Sequence, residues 1–301
     1  MKDQFLINLS KHFTVKIIGI LFFVGVIYSC KNKESNLAIH PYCASEYCSV
    51  EGKQELINLY QNSKAIEKTI YFDINCIVTS EKSLHFFKIS EKIKKLNQTY
   101  APSHIQFRLL PIILHKPVAV NLDEIERKKS FRRLVTQDLE KVDALNIFIV
   151  PHGKYLNGFT YVIRDNFLNY FNLVECNTTF ISEKAWFNES TLAHELGHFF
   201  GLQHTFGKSP YENTTLEKPD GSNCIEEGDF ICDTPADPNG KINKKCEYIG
   251  LSDAKKYDFN PPITNYMSYY RNDCKNEFTL GQYASMNAFA NKYRKYLGTE
   301  N

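Results

Sequence analysis

The chain has 301 residues, of which 36 are Lys or Arg and 34 are Asp or Glu, so its formal net charge is +2. This charge is too small to imply nucleic acid or acidic partners. The length suffices for one large domain or two packed subdomains.

The first 29 residues have the pattern of an export signal. Three lysines precede an apolar run at 17–29, which is too short to span a bilayer but suits a signal-peptide core. The run ends in Val-Ile-Tyr-Ser-Cys at Cys30, a sequence similar to a bacterial lipobox, so we expect cleavage before Cys30 and membrane attachment through N-terminal lipid only. The alternatives are an ordinary secretory signal or an uncleaved anchor. Residues 30–64 are polar and mixed, and predict a lipidated linker or a short prosegment.

Apolar periodicity predicts an upper subdomain with strands and helices over residues 65–204. Predicted strands cover 68–80, 105–114, 145–150, 158–163 and 176–181, and predicted helices cover 84–96, 123–143 and 189–201. The run at 145–150 is apolar throughout, so we expect a central strand. The charged helix at 123–143 is expected to be solvated. We assign the strand at 158–163 to the sheet edge along a cleft, where an extended peptide can add as another strand.

Residues 194–204 read HELGHFFGLQH and have the spacing of a catalytic zinc site. His194 and His198 are four residues apart on a helix, so both imidazoles project from one face. Glu195 can act as the general base without ligating the metal. Gly201 permits a positive φ that ends the helix and returns His204 as third ligand. The fourth position stays open, as in catalytic zinc sites.

The region beyond the third histidine has few signs of regular structure. Residues 205–262 are rich in Gly, Pro, Asn, Asp and Lys, and predict a long irregular segment held by disulfides. A closing amphipathic helix is expected at 282–297. Three carboxylates of the irregular segment could bind a structural calcium ion or could instead cap turns. They are Asp229, Asp233 and Asp237.

A second element, Asn265–Tyr269 (NYMSY), follows two prolines. Together with the histidine motif it resembles the metzincin metalloproteases, in which a methionine-containing turn forms an apolar floor under the zinc. The methionine here is Met267. The Thr-Phe pair after the third histidine, and the stretches at 228–235 and 278–282, are similar to the pappalysin-like (ulilysin and cytophagalysin) group. The resemblance covers roughly residues 67–297.

The resemblance implies an α+β fold. It has a metzincin-type catalytic domain at 65–301, with a twisted mixed sheet, an active-site helix above, and an irregular disulfide-held lower subdomain at 205–301. It also implies a zinc-dependent endopeptidase acting on peptides or proteins, with Glu195 as base and Tyr269 bonding the oxyanion. We expect a monomer on the outer membrane or surface of a bacterium. The alternatives are a degenerate surface lipoprotein that only binds protein partners, and a hydrolase of other substrates.

Eight cysteines besides Cys30 suggest disulfides in an exported chain. The resemblance favours Cys246 with Cys274 and then Cys224 with Cys232. Cys76 and Cys176 could be buried free thiols. In several relatives a cysteine thiolate on the zinc keeps the enzyme latent. Cys43 or Cys48 could do this, or the two could form a local disulfide.

In the resembling fold, residues just after the methionine turn lie near the pocket for the side chain that follows the cut bond. Asp273 could there pair with an arginine or lysine of the substrate. Arg271 could instead pair with Asp273, and the neutral pocket would then favour apolar side chains. Both outcomes stay open at this point.

Overall fold

The computed structural model describes residues 50–62, 68–79, 84–136, 138–160, 177–207, 215–250 and 259–300. All of them belong to one compact unit, residues 41–301. The predicted signal peptide lies outside the described residues, as do Cys30, Cys43, Cys48 and Cys176. Within the described ranges, no helix is both long enough and apolar enough to cross a membrane.

In the part of the chain that the structure describes, the main sheet has seven strands and is mostly parallel, with the order β2-β1-β4-β6-β5 along its principal path. The strands are β1 (Ile70–Val78), β2 (Ile105–Leu109), β3 (Ile113–Leu114), β4 (Leu145–Val150), β5 (Gly158–Thr160), β6 (Thr178–Ser182) and β9 (Gly298–Glu300). Strand β4 pairs in parallel with β1 and β6, and all of its residues are buried. Burial on both faces explains its continuous apolar sequence and confirms the predicted central strand. Strand β5 ends the order of the described strands and runs antiparallel to β6, which agrees with the predicted edge, while residues 161–163 of the predicted strand lie outside the described residues.

Helices cover both faces of the sheet. They are α1 (Val50–Gln61), α2 (Leu84–Phe87), α3 (Ile89–Tyr100), α4 (Leu122–Arg127), α5 (Lys129–Thr136), α6 (Glu189–Phe199) and α7 (Leu280–Tyr293). Alternate residues of β4 point to opposite faces. Ile147 and Ile149 belong to the larger core, with α1, α3, α6 and α7, whereas Phe148 and Val150 belong to a smaller core with α4 and α5. The result is the expected α+β architecture.

Two predicted elements are divided in the structure. The strand predicted at 105–114 is split into β2 and β3, and Pro111 lies between them, where a missing N–H interrupts pairing. The helix predicted at 123–143 is replaced by the short helices α4 and α5. It is also less solvated than predicted, since Leu122, Ile125 and Val135 are buried in the smaller core.

The N-terminal helix α1 lies inside the segment predicted as a linker. Its Leu56 and Tyr60 are buried in the larger core, and the Tyr60 hydroxyl donates to the carbonyl oxygen of Gly201. The segment predicted as a linker or short prosegment therefore contains a packed helix, which differs from an extended linker and is compatible with a short prosegment. The described structure begins at Val50, fifteen residues before the boundary predicted at 65.

Among the described residues of the lower part, regular structure outside the main sheet consists of α7 and a short hairpin, β7 (Lys241–Ile242) with β8 (Tyr248–Gly250). Disulfides join Cys224 to Cys232 and Cys246 to Cys274, which confirms both predicted pairs. Cys76 is a buried free cysteine in β1, and burial raises the pKa of its thiol to about 12. That thiol is therefore inert at neutral pH.

Candidate metal centre

Helix α6 carries the first two histidines, and specific hydrogen bonds fix where the helix begins and where it ends. Asn188 caps the N-terminus by accepting from the amide of Ser190. The helix ends before Gly201, whose φ is +88°. The amides of Gly201 and Leu202 return to the carbonyls of His198 and Gly197, so the chain reverses immediately after the second histidine.

The chain reversal brings together the three predicted histidines. The possible ligand atoms of His194, His198 and His204 all lie within 4.8 Å of one another, and all three side chains are buried. His198 Nε2 and His204 Nε2 are 3.0 Å apart. Tetrahedral zinc with bonds of about 2.0–2.1 Å would hold two nitrogens about 3.3 Å apart. The His198–His204 pair is close to that separation, so the set can hold a zinc ion once the ligand atoms, which lie within 4.8 Å of one another, close around it.

The second nitrogen of two histidines is held by the backbone. His194 Nδ1 lies 2.7 Å from the carbonyl oxygen of Tyr266, and His198 Nδ1 lies 2.8 Å from that of Leu202. A carbonyl only accepts, so each Nδ1 carries the hydrogen and each Nε2 lone pair is free to bind metal. Burial lowers the pKa of His198 to about 4 and the pKa values of His194 and His204 well below the usual range. All three rings are therefore neutral near pH 7, as metal ligands must be.

Glu195 lies between the first two histidines in sequence and against the sheet edge in space. Its side chain is only 3% exposed. A Cβ added to Gly158 in β5 would lie 2.9 Å from Glu195 Oε1, so the carboxylate touches the bare backbone of the edge strand. No sequence rule singled out Gly158, because this contact depends on how helix and sheet pack.

The methionine turn lies directly against α6. A Cβ on Gly197 would be 2.4 Å from Met267 Sδ, and Met267 is fully buried. The amide of Thr205 donates to the carbonyl oxygen of Met267 at 3.2 Å, which joins the turn to the residue after the third histidine. Gly197 is thus required for the close approach of helix and turn.

Tyr269 lies beside the candidate metal ligands. Its ring centroid is 4.4 Å from that of His204 and 6.0 Å from that of His194. Phe206 stacks on His204 at 4.9 Å and also contacts the Tyr269 ring at 4.8 Å. The sequence motif gave no role to Phe206, which forms one wall of this aromatic cluster.

The three aspartates considered for calcium do not share a site. Among the described residues, the histidines form the one group of three or more His, Cys, Asp or Glu side chains placed to hold a metal. Asp229 accepts from the amide of Ile231, and Asp233 accepts from Thr279 and the amide of Gly281 at the start of α7. These bonds match the alternative in which the carboxylates cap turns and a helix.

Arg271 and Asp273 form an ion pair with two hydrogen bonds. Arg271 Nε donates to Asp273 Oδ1 at 3.0 Å, and Nη2 contacts Oδ2. The guanidinium lowers the pKa of the Asp273 carboxyl. The sequence left open whether Asp273 is available to a substrate or is paired with Arg271, and in the structure it is paired with Arg271.

Comparison with known proteins agrees with this geometry. The model of the family Peptidase_M43, described as Pregnancy-associated plasma protein-A, matches residues 154–291. An extracellular metalloprotease of Sordaria macrospora is 29% identical over 241 residues, 76% of each chain. One from Neurospora crassa is 26% identical over 276 residues, 85% of each chain. The chain is a metalloendopeptidase, and over residues 154–291 it is similar to the pappalysin-type family. This assignment implies a zinc cofactor, for which the three histidines are the candidate ligands.

The fold of this metalloendopeptidase also resembles a solved structure. A promirolysin variant from Tannerella forsythia superposes with a TM-score of 0.60 and 18% identity, covering 85% of this chain and 96% of that one. At this identity the likeness concerns the fold alone.

Proposed function

We propose that the protein is an exported endopeptidase that hydrolyses peptide bonds with one zinc ion held by His194, His198 and His204. The observation that carries this proposal is the arrangement of three neutral, buried imidazoles beside a buried carboxylate at the sheet edge. When bound, zinc lowers the pKa of a water molecule toward about 7 and polarises a carbonyl group. The Nδ1–H bonds to Tyr266 and Leu202 keep the ligating nitrogens aimed at one point.

Glu195 is the proposed general base. Its position next to the ligand His194 lets its carboxylate take the proton of the attacking water and later deliver it to the leaving amine. The Gly158 backbone holds this carboxylate on one side. A binding module without catalysis would not need this residue, which is why the enzyme is preferred to a degenerate protease.

Tyr269 is the proposed oxyanion donor. Its ring packs against both His204 and Phe206, which holds the tyrosine beside the candidate metal ligands. A phenol hydroxyl in this position can donate to the negative oxygen that develops in the transition state.

The substrate is proposed to lie along β5. This strand ends the order of the described sheet, and its Gly158 touches Glu195. A peptide that adds to β5 as another strand is held by main-chain hydrogen bonds, which tolerate many side chains. It also passes directly over the base and the metal ligands.

Specificity is proposed to favour apolar side chains after the cut bond. The proposal takes residues 270–273 to line that pocket, as the resemblance implies, and its support is the Arg271–Asp273 ion pair, which leaves no net charge among these residues. Profiling of cleavage sites should show apolar residues in the wild-type protein. Arg271→Ala should release the Asp273 carboxylate and shift the profile toward Arg and Lys, whereas the same shift in Asp273→Ala would contradict the idea.

The N-terminus is proposed to carry lipid on Cys30. The support is the sequence alone, namely the basic and apolar leader that ends in the lipobox-like segment. In a bacterial host, the wild-type chain should take up a fatty-acid analogue and Cys30→Ser should not. Labelling that persists in the variant would remove this part of the proposal.

The test of the catalytic proposal is zinc content together with cleavage of a peptide library by the chain from Cys30. We expect one zinc per chain, and loss of both zinc and activity in His204→Ala. Glu195→Gln should stay folded and keep its zinc, while cleavage falls at least about a hundredfold. Cleavage at the wild-type rate by Glu195→Gln would show that the proposed mechanism is wrong.

A further inference from the structure

Asp237 is a fully buried carboxylate in the irregular lower segment, and both of its oxygens accept hydrogen bonds. Oδ2 accepts from the hydroxyl of Thr205. Oδ1 accepts from the hydroxyl of Tyr270 at 2.8 Å and from the amide of Asn239 at 2.8 Å. The side chain therefore joins residues 32 and 33 positions away in the sequence.

The two hydroxyl donors are the immediate neighbours of two residues at the metal centre. Thr205 follows the ligand His204, and Tyr270 follows Tyr269. Both donors are buried, at 0% and 5% exposure. One carboxylate thus spans the chain segment that carries the third ligand and the turn that carries the tyrosine.

We propose that Asp237 is a positioning residue that fixes Tyr269 relative to His204. The His204 and Tyr269 rings are 4.4 Å apart. The carboxylate binds the Thr205 hydroxyl with one oxygen and the Tyr270 hydroxyl with the other. Because Thr205 follows His204 and Tyr270 follows Tyr269, these two bonds set the position of His204 relative to Tyr269. Groups that orient metal ligands from outside the ligand shell affect metal affinity and activity by about 10- to 100-fold when removed.

The chemistry of the site favours a carboxylate. All three groups that bond Asp237 can donate, and an ionised carboxylate accepts from all of them at once. An asparagine can keep the oxygen that faces Tyr270 and Asn239, and turn its NH₂ toward the Thr205 hydroxyl, which can also accept. Asp237→Asn is therefore the conservative replacement, and Asp237→Ala removes both connections.

The single-sided variants separate the two connections. Thr205→Val removes the hydroxyl near the third ligand with little change of shape. Tyr270→Phe removes the hydroxyl near the tyrosine. We expect Thr205→Val mainly to weaken zinc binding, because it removes the hydrogen bond next to His204. We expect Tyr270→Phe mainly to lower kcat, because it removes the hydrogen bond next to Tyr269.

The experiment measures zinc Kd by chelator competition, the visible spectrum of the Co²⁺-loaded protein, and kcat and KM separately on a peptide substrate. In the chain from Cys30, Asp237→Ala should weaken zinc binding and lower kcat by about 10- to 100-fold each, with a smaller change in KM and an altered Co²⁺ spectrum. Asp237→Asn should recover most of both losses.

A matched control is Asn75→Ala. Asn75 is also fully buried and donates to the carbonyl of Leu139 and the side chain of Asn146, but it lies in β1, away from this cluster. It should lower stability without changing zinc Kd or the Co²⁺ spectrum. Wild-type zinc Kd and kcat in folded Asp237→Ala, or an equal effect of Asn75→Ala, would overturn the proposal.

The inference rests on the proposed zinc peptidase, but the two can fail separately. If the wild-type protein cleaves no peptide, the proposed function fails. The zinc affinities and Co²⁺ spectra of the same variants still decide whether Asp237 positions the third ligand.

Discussion

Gly201→Ala tests whether the turn between the second and third histidines requires glycine. The residue has φ +88°, and an added Cβ would lie 2.3 Å from Phe289 Cδ2 and 2.7 Å from Cγ. Forcing a left-handed conformation on alanine costs about 1–2 kcal/mol. Overpacking the buried Phe289 ring costs about 1–3 kcal/mol more. We therefore expect the free energy of unfolding to fall by about 2–5 kcal/mol.

Gly221→Ala is the matched control for the backbone contribution. Gly221 also has a positive φ, +70°, but nothing lies within 4 Å of an added Cβ. Its replacement should cost only the conformational part, about 1–2 kcal/mol. A double-mutant cycle adds Phe289→Leu to both the wild-type protein and Gly201→Ala. In Gly201→Ala, the smaller side chain should restore the part of the unfolding free energy that is lost to overpacking and not the conformational part.

The assay is urea unfolding of the zinc-loaded proteins, with zinc Kd measured alongside. Because the turn carries His204, Gly201→Ala should also weaken zinc binding, whereas Gly221→Ala should not. The reasoning is refuted if Gly201→Ala is no less stable than Gly221→Ala, or if Phe289→Leu restores nothing.

Three further predictions concern the site and its surroundings. Tyr269→Phe should lower kcat about 10- to 100-fold with little change in KM, measured on a peptide substrate. Gly158→Ala should displace the Glu195 carboxylate, which would lie 2.9 Å from the new Cβ, and lower kcat while zinc content stays at one per chain. Burial raises the pKa of Glu217 from 4.5 to about 8, so the folded protein holds this proton more tightly than the unfolded chain and loses stability as pH rises between those values. The free energy of unfolding, measured with urea at about pH 6 and at about pH 8, should therefore fall less between these two pH values for Glu217→Gln than for the wild-type protein.

The metal centre was predictable because its determinants are local. The spacing of His194 and His198 follows from helix geometry, and Gly201 supplies the reversal that returns His204. The burial of β4 is likewise predictable from the apolar run of the strand itself. In each case a few neighbouring residues contain all the information needed.

Other features depend on residues far apart in the chain. Asp237 was grouped with two other aspartates as a calcium candidate, although its partners Thr205 and Tyr270 lie in separate segments. The contact of Gly158 with Glu195 arises only when sheet and helix pack. The pairing of Arg271 with Asp273 was one of two possibilities, and side-chain placement was needed to choose between them.

Helix α1 has a consequence for any processing of the chain. Its Tyr60 bonds the carbonyl of Gly201, the same residue that reverses the chain between two metal ligands, and its Leu56 fills part of the larger core. Proteolysis that removed Val50–Gln61 would therefore remove the hydrogen bond to Gly201, in the turn between His198 and His204, and leave a cavity at the larger core. Chains that begin before and after this helix, compared in zinc content and peptide cleavage, would show whether α1 belongs to the active enzyme or to a prosegment.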